Sequence, residues 1–208
     1  MLLYRQCISQ TASVHKPILF LGYNAEETSL IATLQREGRT VVHTSEKIAW
    51  SNEFDLVISF GYRHIISQEQ IDSSIAPIIN LHVSYLPWNK GAHPNFWSHF
   101  DCTPSGVTIH EVDAGIDTGN IIYQKYVNFE RWEDTFALTY KRLLVEIEAL
   151  FNQNIDAILS KNWESRPQRR NGTTHRVKDL PASFGGWNSN IQKEICRLDD
   201  ISLANQED

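Results

Sequence analysis

Short apolar runs alternate with stretches of helical period along the first three-quarters of this chain, and that alternation narrows the fold more than any other feature. PILFLGY (17–23) is followed by AEETSLIATLQREG, in which Leu30, Ile31 and Leu34 fall at helical spacing, acids precede them and Gly38 lies past the end. TVVHTS, FDLVISFG (54–61, bounded by Gly61) and APIINLHVSYLP (stopped by Pro87) are a second, third and fourth run. Runs of this kind predict an α/β fold built on a parallel or mostly parallel sheet. GVTIHEVD (106–113) and NIIYQKYVNF (120–129) read as two further strands, separated by the turn-rich AGIDTG. DTFALTYKRLLVEIEALFNQNIDAILSKN then predicts one long amphipathic helix, with Leu138, Leu143, Leu144, Ile147, Leu150 and Phe151 as its apolar stripe. From about residue 162 the periodicity ends in a loop-rich segment, WESRPQRRNGTTHRVKDLPASFGGWNSN, and a short tail.

Several function classes are excluded early. The 208 residues suffice for one domain, or one domain with a short appendage, without a disulfide or metal staple. A net charge of −6 disfavours a nucleic-acid or anionic-membrane partner. No apolar run approaches the ~20 residues of a membrane span, and the first 16 residues lack the apolar segment of a signal peptide. Cys7, Cys102 and Cys196 are odd in number and far apart, which argues against a disulfide framework and a cysteine zinc site. The expectation is a soluble, cytoplasmic protein. The first apolar run ends at Gly22, followed by Tyr23, Asn24 and Ala25, so no GxGxxG forms a pyrophosphate cradle, and no Walker sequence is present. NAD and ATP are therefore not expected.

The densest polar cluster is NLHVSYLPWNKGAHPNFW (80–97). It begins at the end of an apolar run, where α/β sheets bind their ligands. Asn80 and His82, two residues apart on extended backbone, project to one face. An amide and an imidazole so placed are suitable donors for an oxygen that gains negative charge; taken alone, the pair reads first as a strand-terminating turn residue and a satisfied, partly buried histidine. HEVDAGIDTGNII (110–122) sets Asp113 and Asp117 in a loop with Gly115 and Gly119. A carboxylate there can orient a histidine or receive a proton, although Asp/Gly alternation between strands is by itself turn chemistry.

Together the two segments are more specific. Asn80-x-His82-x-Ser84-x-Leu86-Pro87, Lys90-Gly91, Pro94, Gly106 to His110, and Asp117-Thr118-Gly119 with Ile121-Ile122 resemble the 10-formyltetrahydrofolate-dependent formyltransferases. That family includes the glycinamide ribonucleotide and methionyl-tRNA formyltransferases. WNKGAHPNFWS is most similar to the branch that formylates amino groups on nucleotide-linked sugars. The resemblance runs from residue 17 to about 160, with its core at 80–122. It implies a Rossmann-like, mostly parallel sheet flanked by helices, with a formyltransferase catalytic domain over 1–160. Residues 161–208 would be a short loop-rich extension completing the substrate cleft.

By this resemblance Asn80, His82 and Asp117 are the catalytic set, with 10-formyltetrahydrofolate as cosubstrate and no metal. Folate contacts are implied for Phe60, Gly61 and Tyr62, for Trp88 and Lys90, and for the loop carrying Val112, Asp113 and Gly115. Phe60 reads equally as core and Trp88 as a surface aromatic. Lys90 stands where many relatives carry Arg, implying a single charge contact with the folate tail. Tyr85, His93 and Trp97 are candidates for the sugar or base, core packing being the other reading of Trp97. Arg169 and Arg170, in the one basic run RPQRRNGTTHRVKDL (166–180), are candidates for a diphosphate grip. His110 reads as a structurally satisfied histidine, and no HExxH-like spacing links it to His93 or His99.

The Asn–His pair comes early, so the amino-terminal half reads as shortened by about one strand–helix unit. About fifty residues follow the long helix, too few for the ~100-residue β-barrel of tRNA-formylating relatives. The partner expected is thus a small nucleotide-linked amino sugar, in surface glycan synthesis, with no nucleic acid and no membrane; a homodimer stays open. The expected mechanism has a neutral amine attacking the formyl carbon. Asn80 and protonated His82 would stabilise the oxyanion, and Asp117 would keep His82 charged and take up the amine proton. Alternatives are another small phosphorylated amine such as glycinamide ribonucleotide, hydrolysis by a formyltetrahydrofolate deformylase, a silent folate-binding module, and a formylation domain related to peptide-synthesising assembly lines.

Overall fold

The structure is a computed structural model that describes residues 15–50, 52–129, 134–169 and 171–204. In chain order its strands are β1 (Ile18–Gly22), β2 (Val41–Thr44), β3 (Leu56–Phe60), β4 (Ile78–His82), β5 (Lys90–Gly91), β6 (Gly106–Glu111), β7 (Ile121–Tyr126) and β8 (Thr174–His175). Its helices are α1 (Leu30–Arg36), α2 (Gln68–Ser73), α3 (Pro94–Phe100), α4 (Phe136–Gln153), α5 (Ile155–Leu159) and α6 (Ile191–Ala204). Six strands form one sheet in the order β2-β1-β3-β4-β6-β7, and β5 pairs with β8 in a separate ribbon.

β1 and β3 are apolar almost throughout, and all five positions of each are buried. That is the pattern of parallel strands covered on both faces. β1 pairs in parallel with both β2 and β3, and β3 with β4. From β4 onward the pairing turns antiparallel, through β6 to β7. The chain moves from β1 to β2 on one side and then crosses back to β3, so the strand order reverses between β1 and β3. Clefts form beyond the carboxyl ends of strands at such a point.

One face of the sheet packs on α1, α4 and α5 through Phe20, Leu34, Ile58, Leu143, Ile147 and Phe151. The opposite face closes over Leu19, Leu21, Phe54 and Val57. A third cluster joins α3 to α6 through Phe96, Trp97, Phe136, Ile191 and Leu198.

Three expectations are corrected. The single long helix is two, because Asn154 returns its side-chain amide to Leu150 O at 2.8 Å and its backbone N–H to Phe151 O at 3.0 Å. These bonds compete with continuation of the helix, as asparagine side chains commonly do. Leu138 does not join the apolar stripe; it is 54% exposed, in the first turn of α4. The short tail is α6, whose Ile191, Ile195 and Leu198 stand at i, i+4 and i+7 and face the third cluster. Among the described residues no helix is long and apolar enough to cross a membrane.

Candidate active site

The register of β4 against β6 builds the centre of the site. Asn80 lies directly opposite His110, and His82 opposite Thr108. Cross-strand partners share a face, as do residues two apart on one strand, so Asn80, His82 and His110 point the same way. Asn80 Nδ2 donates to Asp117 Oδ1 at 3.2 Å and to His110 Nε2 at 3.1 Å. His110 Nδ1 lies 2.7 Å from Glu111 O and donates to it, which leaves Nε2 as the acceptor. His82 Nδ1 is 3.6 Å from Asp117 Oδ2, and its Nε2 donates to Asn89 O at 3.2 Å.

Asp117 is held from several sides. It has a left-handed backbone, φ 53°. The backbone N–H of Gly91 donates to its Oδ2 at 2.8 Å. Gln168 Nε2 donates to the carbonyls of Asp117 and Gly119, each at 2.8 Å, fixing the loop from beneath. Asp113, exposed, instead accepts from Gly115 N at 3.1 Å and Thr118 Oγ1 at 2.5 Å, so its carboxylate braces its own loop.

Burial works against ionisation of Asp117, but the His82 and His110 imidazoles and the Gly91 N–H outweigh it and hold the carboxyl well below the usual carboxylate range. Burial pushes the His82 imidazole below its ordinary value, and the opposing pull of Asp117 does not cancel that. Burial likewise lowers His93. The expected charged His82 is therefore corrected: at neutral pH it is a neutral imidazole beside a carboxylate.

The expected free amide donor of Asn80 also needs correction, because both of its amide hydrogens are taken, by Asp117 and His110. Sequence reading missed the part played by His110. The signal for it was positional: a histidine in a strand that pairs with the Asn80 strand has to share its face, but which strand pairs with β4 was not readable. Gln168, in the loop-rich segment, left no signal.

A cleft of about 890 Å³ opens over this cluster. Asn80, His82 and Asp117 line it, as do Phe60, Gly61, Tyr62, Val112, Asp113, Gly115 and His93. Tyr23 adds an aromatic wall, its ring edge-on to Phe60 at 4.9 Å, and Thr174 to Val177 close the far side. His93 sits with φ 55° at the start of α3, its ring 5.2 Å from that of Trp187.

Five other candidates lie elsewhere. Trp88 and Arg169 line a separate cavity of about 410 Å³ with Pro87 and Asn171. Lys90 lies in the β5–β8 ribbon, paired with Thr174. Tyr85 packs edge-on to Tyr126 at 5.9 Å. Trp97 is buried in the third cluster, stacked 4.0 Å from His175, which does line the cleft. Arg170 lies outside the described residues.

The formyl transferase family profile matches residues 31–155, more than half of the 208-residue chain. The chain belongs to that family. Among solved structures it is similar to the formyltransferase PseJ from Anoxybacillus kamchatkensis, in complex with UDP-4,6-dideoxy-4-formamido-L-AltNAc and tetrahydrofolate. The two are 38% identical with a TM-score of 0.77, over 85% of this chain and 96% of that one. A sugar N-formyltransferase from Shewanella, 21% identical with a TM-score of 0.67 over 86% of each chain, shares the fold. Among curated proteins, the dTDP-4-amino-4,6-dideoxyglucose formyltransferase of Mycobacterium tuberculosis is 32% identical over 127 residues, 61% of this chain. The match spans about half of that relative, 53% of its length.

Proposed function

We propose that this protein transfers a formyl group from 10-formyltetrahydrofolate to the amine of a nucleotide-linked amino sugar. The observation that carries the chemistry is the convergence, within one cleft, of the Asp117 carboxylate with the Asn80 amide and the His82 and His110 imidazoles. The choice of acceptor and donor rests on the similarity to PseJ, whose structure holds a formamido sugar nucleotide and tetrahydrofolate.

The cleft fits the donor. Its volume lies within the range of ligand pockets, and its walls combine apolar Phe60, Leu81 and Val112 with Arg63, His64, Tyr140 and Arg176 around the Asn80 cluster. Phe60, Gly61, Tyr62, Val112, Asp113 and Gly115 would hold the folate, which supplies an electrophilic formyl carbon when bound. Residues 174–177, from the segment after the catalytic domain, complete the wall.

The chain's own groups do the rest. Asp117, strongly ionised, is a poor base; its task is to stabilise positive charge on the two imidazoles. His82 and His110 are the bases. One takes the amine proton as the amine nitrogen bonds to the formyl carbon, and the resulting imidazolium returns it to the folate nitrogen as the bond between that nitrogen and the formyl carbon breaks. A proton accepted at His110 Nε2 turns that atom from acceptor to donor toward Asp117, 3.5 Å away. One Asn80 amide hydrogen is thereby released for the charge developing on the formyl oxygen, an interaction worth ~3–4 kcal/mol at such a site.

The test is the absorbance change as 10-formyltetrahydrofolate becomes tetrahydrofolate, with UDP- and dTDP-linked amino sugars, glycinamide ribonucleotide and an amine-free blank. Turnover with an amino-sugar nucleotide alone is expected. Turnover with glycinamide ribonucleotide alone, or in the blank, overturns the reading.

A further inference from the structure

Residues 89–91 touch the catalytic cluster twice, at the two nitrogens of one imidazole. The Asn89 carbonyl accepts from His82 Nε2 at 3.2 Å. Two residues on, the Gly91 N–H donates at 2.8 Å to Asp117 Oδ2, the oxygen that faces His82 Nδ1 at 3.6 Å. We infer that Asn89 and Thr173 form a clamp that fixes the tautomer of His82, holding its one proton on Nε2 and leaving the lone pair on Nδ1 to take the amine proton. The role rests on the formyl-transfer reading above and adds to it a positioning residue from the carboxyl-terminal segment.

A neutral imidazole has one proton and two nitrogens, and the bond made by one nitrogen sets the state of the other. A carbonyl only accepts, so the His82 Nε2 that bonds Asn89 O carries the hydrogen. Nδ1 is then bare beside the Asp117 carboxylate, two acceptors with no proton between them. An amine that enters this gap donates to both. The carboxylate alone would draw the proton to Nδ1, the usual order of a carboxylate–histidine pair. The lone pair would then lie at Nε2 against the fully buried Asn89, out of reach of any amine. Asn89 O and Asp117 therefore compete for one proton, and the placement of the carbonyl decides whether His82 is a base.

That placement is held by bonds that nothing else in the mechanism uses. Asn89 has a left-handed backbone, φ 55°, a conformation that asparagine tolerates better than most residues. Its Nδ2 donates to Thr103 Oγ1 at 2.8 Å. Thr173, 84 residues further along the chain, takes hold of it twice with one hydroxyl: Oγ1 accepts from Asn89 N at 2.8 Å and donates to Asn89 Oδ1 at 2.9 Å. The Thr173 carbonyl accepts from Lys90 N at 3.0 Å. Gly172 permits this approach, since a Cβ there would come within 2.1 Å of the Pro87 carbonyl oxygen. Among the described residues Thr173 bonds no member of the catalytic cluster, so it acts on His82 only through Asn89.

Nitrogen-15 NMR of the imidazoles in the full chain, at about pH 8 where His82 is neutral, reads which nitrogen carries the proton. The spectrum of His82→Ala assigns the signals by their loss. The parent is expected to show the proton on Nε2. Thr173→Val removes the hydroxyl at nearly constant size; it should move His82 toward the Nδ1–H tautomer and lower kcat about tenfold or more, with KM near the parental value. Thr173→Ser keeps the hydroxyl and should return both readouts to those of the parent. Asn89→Gly, which keeps the left-handed backbone and loses the side-chain anchors, is the second variant and should behave as Thr173→Val does. A parental proton on Nδ1 overturns the clamp, whether or not formyl is transferred. A fall in kcat without a tautomer change, or a tautomer change without a fall in kcat, also overturns it. Absence of turnover with every amine, beside the expected spectra, overturns the proposed reaction and leaves the clamp on the tautomer standing.

Discussion

Gly91 donates its backbone N–H to Asp117 Oδ2 at 2.8 Å, so the carboxylate between the two imidazoles is aimed by a residue of the separate β5–β8 ribbon. The same Gly91 pairs with His175 across that ribbon. One residue thus ties the catalytic loop to the carboxyl-terminal segment, and the position admits little else. Gly91 has φ +81°, and a Cβ would come within 2.3 Å of the His175 carbonyl oxygen. Gly91→Ala is expected to part the ribbon and displace the N–H from Asp117. Misplacement by about 1 Å can cost ~100-fold in rate, and the strain is expected to lower stability by about 1–3 kcal/mol. Steady-state rates beside thermal melting check this; a variant with parental kcat would detach the ribbon from the chemistry.

Asn80→Ala and His82→Ala are expected to keep the fold at a cost of about 1–3 kcal/mol each, since each removes buried hydrogen bonds while leaving the apolar clusters intact. Removal of the Asn80 donor should lower kcat by about 100–1000-fold. His82→Ala removes the neutral base beside Asp117 and should cost a similar factor in kcat. Circular dichroism establishes the fold, and rates at saturating donor and acceptor measure the loss. Parental turnover in either variant would remove it from the catalytic set.

The strands were legible because β1, β3 and β4 are short apolar runs with turn residues at their ends, which reads the same locally as in the finished sheet. Helix α6 was not, because only Ile191, Ile195 and Leu198 carry its apolar face, with charged residues crowding the intervening positions. Asn80, His82 and Asp117 were legible only through the resemblance of their motifs to the formyltransferases; spacing alone read as a turn residue with a satisfied histidine, and the glycine-bounded loop did not separate Asp117 from Asp113. The part played by His110 was not legible, since it depends on β4 pairing with β6, a contact across roughly thirty residues that no local pattern encodes. Trp88 and Lys90 stand beside the motif in sequence, yet the turn after Pro87 carries Trp88 to a different cavity and Lys90 into the ribbon.

The His110 bond to Asn80 leads to a prediction that the sequence alone did not make. His110→Phe keeps an aromatic ring in a buried position but removes both nitrogens, leaving an Asn80 amide hydrogen and the Glu111 carbonyl without their partner. Loss of a buried partner costs about 1–3 kcal/mol of stability. In kinetics the expected signature is a split: kcat falls tenfold or more, by the usual scale of general acid–base catalysis, while KM for donor and acceptor stays near the parental value. Equal kcat in the variant would return His110 to a purely structural role.

Stability should follow pH in two steps, set by His82 and Asp117. Burial leaves the folded His82 pKa below the unfolded value of about 6.5. As pH falls below 6.5 the unfolded chain binds a proton that the native state refuses, and stability declines. Asp117 is depressed in the folded state, so its contribution is complete above the unfolded value of about 3.9 and is lost as pH falls toward the folded pKa. Because Asp117 supports protonation of His82, Asp117→Asn should push the His82 imidazole lower still and enlarge the first step. Urea unfolding of parent and variant between pH 8 and pH 3 reads both effects. The parental advantage is expected to stay constant while both chains lose stability in parallel below about pH 6.5. It should widen once pH falls below the parent's own folded His82 pKa, and shrink as the parent loses the Asp117 contribution that the variant never had. Parallel curves across the whole range would show that Asp117 and His82 are not coupled in the folded protein.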